Sequence, residues 1–409
     1  MTSPEPDLRD RVERALAASS GVLRLEPAWV ARDFLPPGRR LGMPEEDYDV
    51  GARGAICERW LASTTRADNR VPSPDEGLSA VTTDDGRPLL LADVVRAAPE
   101  LVLGAEYART HPAGLGRLAK IFDYGARLPF HIHPPASYAA LVGHGPKDEA
   151  YHFLPGADPG AHPETFLGVH DHVARGPRAE ALLPYLQDWD SDLILRTSAA
   201  YLQVAGEGFH VPSGVLHGPG TALTLELQED SDVLSMFQAL NAGRIISKEL
   251  LFKDVRPEDR ARDGERFPLG FVDWPANGGP DLYARSHLAP RPVAGGPVPW
   301  GRREWVFYGS PKFSGQRVEV AAGATAVVTE PGVHSVFAWS GAARWGGQPL
   351  QGGEPGQDEL LVVDAAARAG LTVTNTGLQP FVAYLFSGPD LHPEAPTLGL
   401  PAEGSRPSW

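Results

Sequence analysis

The stretch of sequence that decides the fold is 128–134, which reads Leu-Pro-Phe-His-Ile-His-Pro. In an extended strand, positions i and i+2 point to the same face, so His131 and His133 can converge on one ion. Glu149 follows after one loop and opens the strand-like run Glu-Ala-Tyr-His-Phe-Leu. His217 ends the segment Pro-Ser-Gly-Val-Leu-His, whose Pro-x-Gly turn can direct a side chain back into a barrel. Three imidazoles and one carboxylate are ligands that divalent transition metals prefer, so these four residues predict a metal site inside a small β-barrel.

The ligand types leave the identity of the metal open. Nitrogen and oxygen donors discriminate weakly between Zn, Fe, Mn, Ni and Co. A thiolate site is excluded because the chain has a single cysteine, Cys57. We expect one divalent metal, with coordination positions beyond the protein ligands that a substrate can occupy.

The composition of the chain limits its classes of partner. It has 409 residues and a net charge of −15, and this length predicts roughly two to three domains. An acidic surface argues against nucleic acid or an anionic membrane as a partner. No run approaches the roughly 20 apolar residues of a membrane span, and the first residues lack a signal-peptide pattern. We therefore expect a cytoplasmic protein that acts on a small molecule, with its oligomeric state left open.

The spacing of apolar runs predicts a mainly β protein. From about residue 116, short β-type runs alternate with Gly, Pro and Asp, which is typical of all-β barrels or sandwiches. Helices are predicted at 6–18, at 89–102 and as an insertion near 178–190, and a strand is predicted at 193–196. The predicted organisation is an N-terminal helical or mixed segment that packs on the first barrel (1–115), a metal-binding barrel (116–245), a connector (246–300), a second barrel without a metal (301–390) and a tail (391–409).

Two lysines are candidates for work on a substrate. Lys147 has the same strand parity as Glu149, so its amine can lie beside the metal and donate a proton, bind an anion or stabilise an oxyanion. The alternative for Lys147 is an exposed turn lysine. Lys120 lies in the apolar run Leu-Ala-Lys-Ile-Phe, where a buried lysine needs a partner or a function. The alternative for Lys120 is an edge position with its ammonium in solvent. We predict a catalytic role for Lys147 and substrate binding for Lys120.

Three more residues complete the predicted site. His210 lies seven residues before His217, on the other side of the Pro-x-Gly turn, and could be a ligand, an acid or base, or a core histidine. Glu226 and Gln228 share one strand face in Leu-Glu-Leu-Gln and can point into the barrel. We predict catalytic roles for His210 and Glu226, and substrate binding for Gln228.

Six segments resemble the motifs of one known family, in the same order along the chain. They are 58–63 (Glu-x-Trp-x-x-Ser in the family), 118–123 (Leu-x-Lys-Leu-Leu-Asp), 130–134 (Gln-x-His-Pro), 146–151 (Lys-Pro-Glu, then aromatics), 208–217 (Phe-Tyr-Ile-Pro-Ala-Gly-Thr-x-His) and 225–232 (Leu-Glu-Ile-Gln-Gln-Asn-Ser-Asp). The family is that of the type I mannose-6-phosphate isomerases of the cupin superfamily, and the chain resembles a divergent member.

The resemblance implies a fold, a metal and a reaction. The fold would be two cupin-type (jelly-roll) β-barrels with added helices. The metal, usually zinc in the family, would be bound at positions 131, 133, 149 and 217. The reaction would belong to carbohydrate metabolism, namely the isomerisation of an open-chain sugar phosphate. In it, a proton moves between C1 and C2 through a cis-enediol while the metal polarises the carbonyl.

Three positions depart from the family pattern. His131 stands where the family has glutamine, His210 where it has tyrosine, and Met236 where it has an arginine proposed to act in catalysis. His131 recreates the His-x-His pair of metal oxygenases that share the cupin barrel. Three functions therefore stay open, because one fold can host several reactions. They are an aldose–ketose isomerase, a metal oxygenase with a site of three histidines and one glutamate, and a non-catalytic sugar-binding cupin.

Overall fold

A computed structural model of the chain describes residues 8–83, 86–293 and 298–398. The chain is mostly β, with 30% strand and 25% helix, which confirms the predicted mainly β class. The sheets in the described ranges are antiparallel and open, so the closure of two complete barrels stays a prediction. Residues 6 and 7 of the first predicted helix, 294–297 of the connector and 399–409 of the tail lie outside the described residues.

The helices are short and lie between strands. Those of the α type in the described ranges are α1 (Leu8–Ala18), α2 (Leu91–Ala97), α3 (Pro99–Leu103), α4 (Ala105–Thr110), α5 (Ala136–Ala139), α6 (Asp171–Arg175), α7 (Ala179–Asp188), α8 (Pro257–Asp263), α9 (Trp274–Asn277), α10 (Leu282–Ser286) and α11 (Asp364–Ala369). Short 3-10 segments lie at Glu45–Asp47, Gly51–Arg53, Ala140–Val142, Leu193–Thr197, Lys248–Leu251, Gly264–Arg266 and Pro268–Phe271.

The strands are also short, as the frequent Gly and Pro residues predict. In chain order the described strands are β1 (Val22–Glu26), β2 (Ala28–Arg32), β3 (Ala55–Leu61), β4 (Ala80–Val81), β5 (Leu89–Leu90), β6 (Leu118–Phe122), β7 (His131–Ile132), β8 (Glu149–Phe153), β9 (Glu164–Leu167), β10 (Ala199–Leu202), β11 (Gly208–Val211), β12 (His217–Gly218), β13 (Thr224–Gln228), β14 (Ser235–Met236), β15 (Leu240–Asn241), β16 (Arg244–Ile245), β17 (His287–Leu288), β18 (Arg291–Pro292), β19 (Gly301–Phe307), β20 (Ser314–Val320), β21 (Thr325–Val328), β22 (His334–Ser340), β23 (Ala342–Trp345), β24 (Gln348–Gln351), β25 (Glu359–Val362), β26 (Leu371–Asn375) and β27 (Phe381–Ser387).

The chain divides into two compact units. Among the described residues, unit 1 comprises 8–33, 39–83, 86–122, 290–293 and 298–395. Its largest sheet has the order β18-β19-β20-β27-β22-β25-β1-β4-β5, and a second has the order β21-β26-β23-β24. Strand β3 pairs with β2 on one side and with β6 on the other. The N-terminal strand β1 thus pairs with β25, which comes from the segment predicted as the second barrel. The predicted domain boundaries themselves stay a prediction.

Among the described residues, unit 2 comprises 34–38, 123–289 and 396–398. One of its sheets has the order β10-β9-β12-β7-β14, and β17, β11, β8 and β13 pair in that order in another. Strands β8 and β13 are buried along their whole length, so these central strands are covered on both faces. A cluster of buried apolar side chains that includes Phe130, Leu186 and Phe237 anchors the first of these sheets and the helix α7.

Two local predictions require correction. The helix predicted at 89–102 is instead a short strand followed by α2 and α3, and Pro99 begins α3 rather than ending a longer helix. Proline suits this first position because the amide hydrogen that it lacks has no partner within the helix there. The strand predicted at 193–196 is a 3-10 turn, in which Leu195 donates its N–H to the carbonyl of Asp192.

No helix among the described residues is both long enough and apolar enough to cross a membrane.

Candidate metal centre

Three strands of unit 2 present the four predicted ligands. His131 opens β7, with His133 just beyond its end, and His217 opens β12 directly across from His131. Residues that pair directly across two antiparallel strands point to the same face, so the two histidines are neighbours. Glu149 opens β8, which belongs to the other sheet.

The four side chains form one buried group. One donor atom from each of His131, His133, Glu149 and His217 lies within 4.8 Å of the other three. Each of these residues is at most 4% exposed. The structure therefore brings together all four residues that the sequence predicts as ligands, in a group that could hold a metal ion.

Backbone carbonyls fix which nitrogen each histidine directs into the group. Nδ1 of His131 lies 2.7 Å from the carbonyl of Pro129, Nδ1 of His133 lies 2.8 Å from that of Val233, and Nδ1 of His217 lies 2.9 Å from that of Val215. A carbonyl only accepts, so Nδ1 carries the proton and donates it. The bare Nε2 atoms then face the centre of the group, an arrangement typical of metal-ligating histidines.

The acceptor atoms in the group lie close together, an arrangement that a metal cation between them would stabilise. His133 Nε2 is 3.0 Å from Glu149 Oε2, and His217 Nε2 is 2.8 Å from Glu149 Oε1. His217 Nε2 is buried and makes no hydrogen bond. Unprotonated imidazole nitrogens and carboxylate oxygens repel each other at these distances, and a divalent cation removes that repulsion. These residues therefore fit the metal that the sequence predicts.

The surroundings favour the protonation states that metal binding needs. Burial, followed by the nearby His217 and His133, lowers the pKa of His131 well below its ordinary value. Burial and the Lys147 ammonium lower the pKa of His133 to about 4, against the attraction of Glu149. Burial alone would raise the pKa of Glu149, but Lys147 and the histidines hold it well below its ordinary value. The rings of His131 and His133 are thus neutral and the Glu149 carboxylate is charged, as a divalent ion requires.

Lys147 lies directly beside the ligand group. Its Nζ is 2.8 Å from Glu149 Oε2, 3.2 Å from His133 Nε2 and 3.5 Å from Glu226 Oε1. Burial would lower the pKa of Lys147, but the carboxylates of Glu149 and Glu226 raise it, so the amine stays an ammonium. The alternative reading of Lys147 as an exposed turn lysine is wrong, because the residue is 5% exposed.

Glu226 and Gln228 lie on the same sheet face as Glu149. Gln228 pairs directly across from Glu149, and Glu226 pairs across from Tyr151, two residues further along β8. Gln228 Nε2 donates to the carbonyls of Glu229 and Ser231, whereas its buried Oε1 makes no hydrogen bond. Gln228 therefore offers an acceptor whose orientation is fixed by the two donor contacts.

The structure does not place His210 with this group. His210 pairs directly across from Ala150, one residue out of phase with Glu149 and Tyr151. Since successive side chains on a strand alternate between faces, His210 lies on the opposite face of the sheet. The prediction that it works beside Lys147 and Glu226 is therefore corrected. The two-residue period of β11 was visible in the sequence, but the pairing register was not.

Lys120 lies in unit 1, on β6. It is 4% exposed, and its Nζ lies 3.8 Å from Glu58 Oε2 and 5.9 Å from the centroid of the Trp60 ring. The alternative of an edge lysine with its ammonium in solvent is therefore wrong. Its predicted role in substrate binding stays a prediction.

Sequence reasoning missed Tyr151 beside the ligands, and the structure also shows where Met236 lies. The hydroxyl of Tyr151 donates to Glu149 Oε1, and its parity with Glu149 on β8 was the signal that could have revealed it. Met236 pairs directly across from His131 on β14 and is buried in the apolar cluster of unit 2. The position aligned with the family arginine thus presents an uncharged side chain next to a ligand.

Comparisons with known proteins find matches among solved structures. The mannose 6-phosphate isomerase from Bacillus subtilis matches with a TM-score of 0.59 at 15% sequence identity, and the match covers 90% of this chain and 99% of that chain. A point variant of the phosphomannose isomerase from Salmonella typhimurium matches with a TM-score of 0.60 at 13% identity, covering 90% of this chain and 100% of that chain. No protein-family model matches the chain, and no curated protein matches it in sequence.

The fold and the buried ligand group define a mainly β protein with a candidate metal centre. More particularly, the chain has the fold of the mannose-6-phosphate isomerases, over nine-tenths of its length. This confirms the resemblance at the level of the fold. At 12–15% identity it leaves the reaction to be argued from the site.

Proposed function

We propose that the protein is a metal-dependent aldose–ketose isomerase, similar in reaction to the mannose-6-phosphate isomerases, with a sugar or sugar phosphate as substrate and zinc as the metal. The observation that carries this proposal is the buried Lys147 ammonium, which lies between a ligand carboxylate, Glu149, and a second carboxylate, Glu226. A charged donor and a carboxylate next to a metal are what proton transfer between adjacent carbons requires. The fold likeness supports the same reaction class.

The residues of the site would share the chemistry as follows. Once bound by His131, His133, Glu149 and His217, the metal would polarise the substrate carbonyl and stabilise negative charge on its oxygen. Lys147 would donate a hydrogen bond to the oxygen on which charge develops, because its ammonium is buried and fixed by two carboxylates.

Glu226 is the best candidate for the base. Its carboxylate is buried near Lys147 on the inward face of β13, and it is not one of the predicted ligands. Glu226 would take the proton from one carbon and return it to the next through a cis-enediol. Lys147 is a poor base because the pKa of its amine is raised. Gln228 Oε1, an acceptor without a hydrogen bond in the protein, would receive a substrate hydroxyl.

One observation favours a second candidate function. The group has three imidazoles and one carboxylate, with His131 as the third imidazole. A donor set of this kind also suits iron, so a metal oxygenase is the alternative. Tightly bound iron, together with activity that is lost without oxygen, would favour the oxygenase and contradict the isomerase proposal.

The decisive experiment is an isomerisation assay in D2O with zinc-loaded protein. Mannose 6-phosphate and free mannose are supplied separately, and NMR follows ketose formation and deuterium incorporation at C1 and C2. Turnover of either sugar is expected for the wild type. Glu226→Gln should keep the metal and lose about 10²–10⁴-fold in kcat, since only the base is removed. Glu207→Gln, on a carboxylate paired with His287 elsewhere in unit 2, serves as the matched control and should leave kcat unchanged.

Absence of ketose and of deuterium incorporation with phosphorylated and free aldoses alike would contradict the proposal. Equal kcat values for Glu226→Gln and Glu207→Gln would leave the isomerase class standing but remove Glu226 as the base.

A further inference from the structure

Tyr151 has a placement that the proposed reaction does not use. It lies two residues after Glu149 on β8, so both side chains project from the same face. Its ring is 1% exposed, and its hydroxyl donates to Glu149 Oε1. Carboxylates that bind a metal are typically hydrogen-bonded to a further group that orients them, and a buried phenol can be that group.

Both oxygens of Glu149 have a donor from the protein. Oε1 accepts from the Tyr151 hydroxyl, and Oε2 lies 2.8 Å from Lys147 Nζ. The same two oxygens face the histidines, with Oε1 toward His217 Nε2 and Oε2 toward His133 Nε2. The orientation of the carboxylate is therefore fixed from both sides.

Tyr151 is held between the two neighbouring strands. It pairs directly across from Phe209 on β11 and from Glu226 on β13. Its centroid lies 6.3 Å from that of the His217 ring. Because Tyr151 is buried between two paired strands, close packing limits the movement of its ring, so the hydroxyl can hold the carboxylate in one place.

We infer that Tyr151 is a positioning residue of the metal centre: its hydroxyl holds Glu149 Oε1 in the orientation that meets the ion together with the three histidines. The inference rests on the metal centre and not on the isomerase reaction. A phenol carries no charge, so its replacement by phenylalanine removes a hydrogen bond and leaves the net charge of the site unchanged. Loss of such a partner lowers metal affinity by about 10- to 100-fold.

The test is a zinc titration of the metal-free protein against a chelator of known affinity, for the wild type, Tyr151→Phe and Tyr138→Phe. Tyr138 is the matched control. It is a buried phenol of the same unit whose hydroxyl donates at 3.0 Å to Oδ2 of Asp259, a carboxylate that is not one of the four candidate ligands. We expect Tyr151→Phe to bind one zinc about 10- to 100-fold more weakly, while Tyr138→Phe binds like the wild type. Equal affinities of Tyr151→Phe and the wild type would overturn the inference, as would equal losses in the two variants.

A double-mutant cycle with Glu149→Gln tests whether Tyr151 acts through that ligand. The phenylalanine substitution should have no further effect on zinc affinity in the Glu149→Gln background, and a full additional loss there would overturn the inference. If Tyr151→Phe does not fold, Tyr151→Met and Tyr138→Met repeat the comparison. Normal zinc binding by the wild type without isomerase activity would overturn the proposed function, but the positioning role of Tyr151 would stand. Absence of zinc binding by the wild type would overturn both.

Discussion

Each clustered histidine uses a backbone carbonyl to aim its ring, but the carbonyls have different origins. His131 and His217 use carbonyls two residues earlier in the chain, at Pro129 and Val215. Such a hydrogen bond joins residues only two positions apart, so a short segment can orient the ring on its own. His133 instead uses the carbonyl of Val233, 100 residues further along the chain. Its orientation therefore depends on the assembly of the whole sheet.

The residue with the sharpest expected effect on the reaction is Lys147. Replacement by methionine keeps most of the side-chain volume and removes the ammonium between Glu149 and Glu226. We expect kcat to fall about 10²–10⁴-fold, because the developing charge loses its donor. Steady-state kinetics and metal analysis on the same preparation separate this effect from loss of the ion.

Lys248→Met is the matched control for this prediction. Lys248 forms a partly exposed pair with Glu265 in the same unit, at 2.7 Å. Its loss should leave kcat unchanged. Similar kcat values for Lys147→Met and the wild type would remove Lys147 from the mechanism.

At the scale of elements, β8 organises the candidate site. It carries Glu149 and Tyr151 on one face and lies between β11 and β13, which pair with it along its length. The close approach of β11 depends on Gly208, because a Cβ there would lie 1.7 Å from the carbonyl oxygen of Tyr151. Glycine is needed at this position because there is no room for a Cβ atom. The backbone conformation there does not itself require glycine.

We expect Gly208→Ala to push β11 away from β8 and to lower the free energy of unfolding by about 1–3 kcal/mol, the usual range for overpacking. Urea denaturation monitored by circular dichroism measures the loss. Gly270→Ala is the control, since a Cβ there would meet no atom within 4 Å. Equal midpoints for the two variants would show that β11 can move without cost.

At the scale of the whole molecule, unit 1 contains a buried ion group that makes stability depend on pH. Arg59 pairs with Asp358 at 2.6 Å and with Glu359 at 3.0 Å, and all three side chains are buried. Burial raises the pKa of Glu359 from 4.5 to about 7, although Arg59 opposes the shift. The folded state therefore holds this proton more tightly than the unfolded state does.

The sign of the pH effect follows from that raised pKa. The stability contributed by Glu359 is fully present below about pH 4.5 and is lost as the pH rises through about 7. We expect Glu359→Gln to flatten the fall in unfolding free energy between these two pH values. Denaturant titrations across that range measure it, with the exposed Glu354→Gln as control. Parallel pH profiles for the wild type and Glu359→Gln would contradict the prediction.

Removal of the metal should lower the melting temperature. A ligand that binds only the folded state adds RT ln(1 + [L]/Kd), which is about 2.7 kcal/mol at a concentration of 100 Kd. Scanning calorimetry with and without a chelator measures the difference. Glu149→Gln should show a smaller difference between the two conditions than the wild type, because the group of four candidate ligands has lost its carboxylate. A wild type insensitive to chelator would argue against a resident metal.

The local part of the site could be predicted, and the part that depends on strand pairing could not. The spacing of His131 and His133 and the turn before His217 identified residues that meet in one buried group. Lys147 and Glu149 are two residues apart and so project from the same face of an extended strand, which also predicted that Lys147 lies beside Glu149. The catalytic role predicted for His210 could not be judged from the sequence, because the register between β11 and β8 decides which strand positions share a face with Glu149.

The sequence by itself determined the mainly β class and the four candidate ligands, because alternation along a strand and turn residues are local properties. Its resemblance to the isomerase family came separately, from six motif segments in the same order along the chain. Only the tertiary structure decided that Tyr151 holds Glu149, that Val233 orients His133 and that His210 faces away. These depend on which strands become neighbours and in what register. That choice is made by burial and hydrogen bonding between segments far apart in the chain.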